Sequence, residues 1–157
     1  MINTKPKLMS VTEALAWRGQ QAGPVVFTNG VFDLLHPGHV ELLEAARREG
    51  AALVVGVNSD ASVRRLGKGA DRPVNDAAAR SRVLAGLAAV DSVVIFDEDT
   101  PLELIRQLAP DVLVKGADYP RSAIVGADLV ESRGGRVLRV PLVTGFSTSN
   151  IVDRFRA

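Results

Sequence analysis

The 157 residues amount to one domain of ordinary size, long enough to bury a core unaided, and none of them is a cysteine. That excludes a disulfide scaffold, a thiolate metal site and a cysteine nucleophile, and it fits a reducing compartment, so the cytoplasm is the expected location. A net charge of +1, with no apolar run long enough to span a bilayer, makes neither nucleic acid nor membrane an expected partner. Hydrophobic residues at 46% against only 4% aromatics predict a Val, Leu, Ile and Ala core of the kind found where helices cover a parallel sheet.

Taken in chain order, Ser10 followed by Glu13 reads as a capping box that opens a short helix through Trp17, closing near Gly23-Pro24. The spacing predicts that this segment, residues 1–23, is a peripheral N-terminal helix outside an α/β core of residues 24–157. VVF (25–27) predicts a strand, and Val40, Leu42, Leu43 and Ala46 the apolar face of a helix that ends at Gly50. ALVVGVNSD (52–60) predicts a second strand, followed by a glycine-broken basic loop and a helix over 75–90 with Val83, Leu84 and Leu87 inside. SVVIF (92–96) is a third strand, and Thr100-Pro101 caps the next helix, which Ala109-Pro110 stops. VLVKG (112–116) is a fourth strand, residues 122–132 a helix closed by Gly134-Gly135, residues 136–143 a late strand and residues 149–155 a short last helix. The alternation implies one Rossmann-like, doubly wound domain with a mainly parallel sheet, whose ligands bind beyond the carboxyl ends of the strands.

Both histidines of the chain fall in one strand-to-helix loop, TNGVFDLLHPGH. Pro37 suits a first helical turn, Gly38 lets a ligand approach the backbone, and the free N–H groups of that end favour an anion. His36 and His39 can both donate to phosphoryl oxygens, more strongly if protonated, which a pKa of about 6.5 makes accessible near neutrality. Zinc is the weaker reading of the pair, because carboxylates such as Asp33 would have to complete the site. Structural packing is the other. The basic loop offers Lys68 between two glycines and Arg80 early in a helix as phosphate contacts, whereas Arg64, Arg65 and Arg82 suit a solvated face. GKG matches neither a P-loop nor a dinucleotide fingerprint. Lys115 and Asp118 of KGADY could read a base or ribose, or simply form a turn; Ser147, Thr148 and Ser149 could cap the last helix or cradle a second phosphate.

TNGVFDLLHPGH with the late STSN resembles the HxGH nucleotidyltransferase superfamily. Within it, NSDASVRRLGKGADRPVN, KGADY and GFSTSNIV resemble the adenylyltransferases that make ADP-heptose from D-glycero-β-D-manno-heptose 1-phosphate for the lipopolysaccharide core. The resemblance implies ATP with Mg2+, pyrophosphate as product, and small-molecule substrates only. It implies His36, His39 and Lys68 as the catalytic residues and Arg80 as a phosphate ligand. It draws Thr28, Gly30, Phe32, Asp33 and Gly38 into the nucleotide pocket, places Lys115, Gly116 and Asp118 near the nucleotide, and sets Ser147 and Thr148 at the outgoing pyrophosphate. No dedicated metal ligand is implied. Two departures stand out: many superfamily members carry an arginine directly after the isoleucine of the late motif, where this chain has Val152 and then Arg154, and the related bifunctional enzymes fuse a sugar kinase upstream, so kinase activity is expected of another protein. A homo-oligomer would follow if the N-terminal helix packed on a neighbour. A polyol- or amino-alcohol-phosphate cytidylyltransferase and a non-catalytic nucleotide-binding regulatory domain are the alternatives.

Overall fold

The computed structural model describes residues 2–156. Its strands are β1 (Leu8–Met9), β2 (Val25–Gly30), β3 (Ala52–Asn58), β4 (Ser92–Phe96), β5 (Val112–Gly116) and β6 (Arg136–Val140), and its helices α1 (Val11–Gly19), α2 (Pro37–Arg47), α3 (Asp60–Arg65), α4 (Ala77–Ala85), α5 (Leu102–Leu108), α6 (Ala127–Ser132) and α7 (Thr148–Arg156). The strands form one sheet in the order β1-β4-β3-β2-β5-β6, with every pairing parallel. This is the Rossmann-like α/β fold expected from the alternation of strands and helices.

Successive strand side chains point to opposite faces, so each central strand feeds two cores. Val26, Leu53, Val55 and Val57 pack with Leu43 and Ala46 of α2 and Leu84 and Ala85 of α4. Val25, Phe27, Val54 and Leu113 face the other way, onto Ala14 of α1, Ile105 and Leu108 of α5, and Val130 of α6. Gly56 leaves room for the buried ring of Phe27: a Cβ there would stand 2.8 Å from its Cζ.

Several sequence expectations are corrected. The N-terminal segment is no peripheral appendage, because β1 extends the sheet beside β4 and Ala14 is fully buried. Its capping box is as expected, with Glu13 Oε2 accepting from the Ser10 N–H at 2.7 Å and Ser10 Oγ accepting from the Glu13 N–H at 3.3 Å. The second strand ends at Asn58, and the supposed loop opens with α3, capped by Ser59. Leu84 is buried as expected, but Val83 is 55% exposed. Pro101, without a side-chain cap, precedes α5. Residues 121–132 are a 3-10 turn and then α6, split by Gly126 at φ 84°. β6 stops before Pro141, which has no N–H for the ladder.

Candidate active site

The winding of the strand order reverses between the parallel strands β2 and β5: β2 leads to β3 on one side, and β5 leads to β6 on the other. A crevice opens at such a point beyond the carboxyl ends of the two strands. Lys115 spans it, its Nζ donating to the Asn29 carbonyl oxygen at 3.0 Å. Burial pushes this ammonium down to about 8; Asp118 opposes the shift and the positive charge of Lys68 adds to it. The charge of Lys68 is thus felt at the crevice. Gly116 lets the chain fold tightly after β5, because a Cβ would lie 2.5 Å from Asp118 Oδ1 and 3.0 Å from Cδ2 of Leu142.

The HPGH turn is built on α2. His36 is its N-cap in extended conformation, Pro37 opens the first turn, and His39 Nδ1 accepts from the His36 backbone N–H at 3.3 Å. The two imidazoles stack with centroids 3.8 Å apart and planes at 26°. Glycine at 38 leaves room for the His36 ring, since a Cβ would come to 3.0 Å from its Cε1 and Nδ1. Phe146 lies 6.2 Å from the His36 ring and Phe32 5.3 Å from the His39 ring, so the pair sits between two aromatic side chains. Phe32 is held at φ 49°, and its ring occupies the space above Gly30, where a Cβ would meet it at 3.1 Å.

This geometry corrects the expectation of protonated imidazoles near neutrality. Burial lowers the pKa of His36, and burial together with the charge of His36 takes His39 down to about 4. Two stacked rings cannot both carry charge in a partly dry site. Because Nδ1 accepts, the neutral His39 ring carries its proton on Nε2 and presents a neutral donor. His36 Nδ1 is buried without a hydrogen-bond partner. In a 1H–15N titration of the unliganded protein we expect a His39 midpoint near 4 and a His36 midpoint below the ordinary histidine value. A midpoint at or above 6.5 for either ring would contradict the burial argument. Since the folded pKa lies below the unfolded one, the neutral His39 stabilises the fold above pH about 6.5, and that contribution fades as pH falls toward 4.

Other expected ligands serve the scaffold instead. Thr28 is fully buried, its Oγ1 donating to the Val114 carbonyl at 2.9 Å, a tie between β2 and β5. Arg80 is buried with its guanidinium spent on protein oxygens: Nε donates to Asn75 O at 2.9 Å, Nη1 to Val31 O at 2.7 Å and Nη2 to Asp60 Oδ1 at 2.7 Å. It braces loops where a phosphate contact was expected. Asp33 is likewise buried, accepting from Arg72 Nε at 2.5 Å and from the N–H groups of Val74 and Asn75, each at 2.9 Å. Burial alone would raise its carboxyl, but the Asn75, Val74 and Arg72 donors hold it below the ordinary carboxylate range. Lys68 is exposed between Gly67 at φ 65° and Gly69 at φ 118°. Of the arginines assigned to solvent, Arg65 pairs with Asp99 and Arg82 donates to Thr4 Oγ1.

The late motif closes the site. Ser147 Oγ accepts from the Asn150 N–H at 3.0 Å, capping α7, and Thr148 Oγ1 donates to Leu34 O at 3.2 Å, tying α7 to the HPGH loop. Between them lies a cavity of about 770 Å³ lined by His36, Pro37, Phe146, Ser147, Asn150 and Arg154. Arg154 and Phe146 are the site residues missed as such in the sequence; the only available signal was their place around the STSN motif. No cluster of three or more potential metal ligands exists among the described residues, and no helix among them is long and apolar enough to cross a membrane.

Known proteins resemble this chain in sequence and in fold. A family model described as cytidylyltransferase-like matches residues 27–152. The chain is 56% identical over 153 residues to the bifunctional protein HldE of Syntrophotalea carbinolica, covering 98% of this chain and 30% of that protein. It is 62% identical over 128 residues to HldE of Gluconobacter oxydans, covering 82% and 26%. The chain thus spans less than a third of the length of these relatives. A lipopolysaccharide core biosynthesis protein from Thermoplasma volcanium superposes with a TM-score of 0.64 at 27% identity, over 78% of this chain and 98% of that one. Pantothenate synthetase from Thermus thermophilus, at 21% identity and a TM-score of 0.64, shares the fold. With its HPGH turn at the head of α2 and its STSN motif at the head of α7, the chain belongs to the cytidylyltransferase-like family of HxGH nucleotidyltransferases.

Proposed function

We propose that this protein transfers AMP from magnesium ATP to D-glycero-β-D-manno-heptose 1-phosphate in the cytoplasm, giving ADP-heptose for the lipopolysaccharide core and releasing pyrophosphate. The observation that carries the nucleotidyl-transfer chemistry is the stacked His36/His39 pair at the N-terminus of α2, with the cavity beside it. The choice of sugar is supported by the similarity to the HldE proteins.

A sugar phosphate is already an anionic nucleophile. One of its oxygens forms a bond to the α-phosphorus, the bond from that phosphorus to the bridging oxygen breaks, and pyrophosphate leaves with the electron pair. No general base is required, and the protein's task is to align the reactants and offset charge gathering on the phosphoryl oxygens. His39 Nε2–H and the Gly38 N–H at the head of α2 supply preorganised donors, while Lys68 and Lys115 supply positive charge. The carboxylate of Asp33 is engaged by protein donors, so the described side chains form no cage for Mg2+. The ion enters as part of the nucleotide substrate, held by its phosphates, as Mg2+ commonly is.

Arg154 takes the role of the arginine missing after Ile151, since it lines the same cavity as His36 and Ser147. Arg154→Ala is expected to raise KM for ATP about tenfold, at the low end for a charged hydrogen-bond donor because the residue is exposed. An unchanged KM would remove it from the site.

The test of the function is pyrophosphate release by the purified protein, with ATP or CTP offered against heptose 1-phosphate or glycerol 3-phosphate. Release with ATP and the heptose phosphate alone supports the reaction. Release with CTP would make the chain a cytidylyltransferase, the reading that the description of its family model favours. ATP binding without release from any pair would leave a regulatory nucleotide-binding domain.

A further inference from the structure

Lys68 stands on a loop with two anchored feet, of which the second is buried. The first foot is Asp60 at the start of α3, gripped by Arg80 Nη2 at 2.7 Å. At the second foot, Asp33 accepts from Arg72 Nε, Val74 N and Asn75 N, and the Asn75 side chain donates back to the Asp33 carbonyl at 3.1 Å. Arg72 and Asp33 are 7% and 4% exposed, an isolated buried ion pair in a segment that otherwise faces solvent. Between the feet, residues 64–71 are exposed, and a Cβ on Gly67 would meet nothing within 4 Å.

Two glycines at positive φ give the exposed stretch around Lys68 many available conformations, so its anchors, the Arg65–Asp99 pair among them, limit where Lys68 can go. Its ammonium nevertheless lies close enough to Lys115 for its charge to be felt there. A buried ion pair is a weak source of stability, and the best-attested use of such pairs is to fix one conformation among several.

We infer that the Asp33–Arg72 pair is a latch that holds Lys68 at the phosphate site, making both residues positioning residues that act through Lys68 without touching substrate. The inference rests on the reading of Lys68 as a phosphate ligand in nucleotidyl transfer.

The test is a double-mutant cycle between Arg72→Met and Lys68→Ala, read as kcat for pyrophosphate release at saturating substrates. Arg72→Met alone should lower kcat about tenfold, and in the Lys68→Ala background it should change kcat by less than about twofold. Equal factors in both backgrounds, or no effect of Arg72→Met alone, would overturn the latch, because a merely structural role does not depend on Lys68. Arg72→Lys, which keeps the charge but loses the planar fork, enters the same cycle in case the methionine variant does not fold. A second readout stands apart from turnover. Trypsin does not cut at Arg72, which precedes Pro73, so the substitution removes no cleavage site. Cleavage after Lys68 should accelerate at least about tenfold in Arg72→Met while the thermal midpoint of the remaining fold holds. If the wild-type protein releases no pyrophosphate, the functional reading fails while trypsin still judges the latch: equal cleavage rates would sink it, and faster cleavage would support it.

Discussion

His39→Ala is expected to lower kcat/KM for pyrophosphate release by about 10²- to 10³-fold, on the order of 2.7–4 kcal/mol, the usual loss for one preorganised oxyanion donor. The ring is fixed on three sides: Nδ1 accepts the His36 N–H, His36 stacks at 3.8 Å, and Phe32 lies 5.3 Å away. Its Nε2–H is therefore aimed before substrate arrives, and little is spent on reorganisation. The variant also leaves the His36 N–H without its capping partner, which costs roughly 0.5–2 kcal/mol of stability. Thermal melting separates that cost from the catalytic loss. His39→Gln adds a discriminating arm: if a neutral N–H donor does the work, glutamine should recover part of the activity that alanine loses. An imidazolium requirement would leave glutamine as poor as alanine and produce a rate that falls as pH rises through 6.5. The low pKa of His39 leads us to expect no such fall. Near-normal turnover by the alanine variant would remove His39 from the chemistry altogether.

The parallel sheet was legible because strand and helix signals alternate with clear punctuation. Val25 and Val26 before Asn29-Gly30, and Pro37 after His36, mark a strand, a turn and a helix start by local chemistry alone. The capping box at Ser10 was legible for the same reason. Helix α3 was hidden, because the glycines and basic residues at 64–69 outweighed the quieter cap at Ser59. β1 was hidden by length: two residues carry no periodicity, and only pairing with Val93 and Val94 makes Leu8 and Met9 a strand.

Within the site, residue type was easier to read than direction. The sequence marks Arg80 and Asp33 as charged groups near a ligand loop, but spacing does not say whether a guanidinium meets a phosphate or three protein oxygens. That is decided by the approach of Val31, Asp60 and Asn75 in three dimensions. Likewise, two histidines three apart do not reveal that their rings stack, and it is the stacking and burial that keep them neutral. Gly38 was expected to admit a ligand, and the structure adds that the space left by its missing Cβ is taken up by the ring of His36.

Arg80→Met should destabilise the fold by about 3 kcal/mol, with the urea midpoint falling and the slope of the transition unchanged. The side chain is fully buried and donates to Asn75 O, Val31 O and Asp60 Oδ1. Methionine fills similar space but leaves the part-buried carbonyls of Asn75 and Val31 without the Arg80 donors, each a loss at the low end of roughly 1–3 kcal/mol. The carboxylate of Asp60 keeps 29% exposure and so loses less, which places the total at the lower end of the range for breaking a buried pair. Arg80→Lys should recover only part of the loss, since one ammonium cannot span three acceptors arranged for a planar fork. The same variants distinguish the two roles open to this arginine. If Arg80 is an internal brace, stability falls and KM for ATP measured on folded protein stays within about twofold, as for sites that do not share a partner. If the guanidinium instead turns to bind phosphate, stability would shift by less than about 1 kcal/mol and KM would rise by the factor expected for a lost charged hydrogen bond, about tenfold or more. Three short bonds to protein oxygens leave no donor-bearing nitrogen of Arg80 unengaged, so stability should carry the effect.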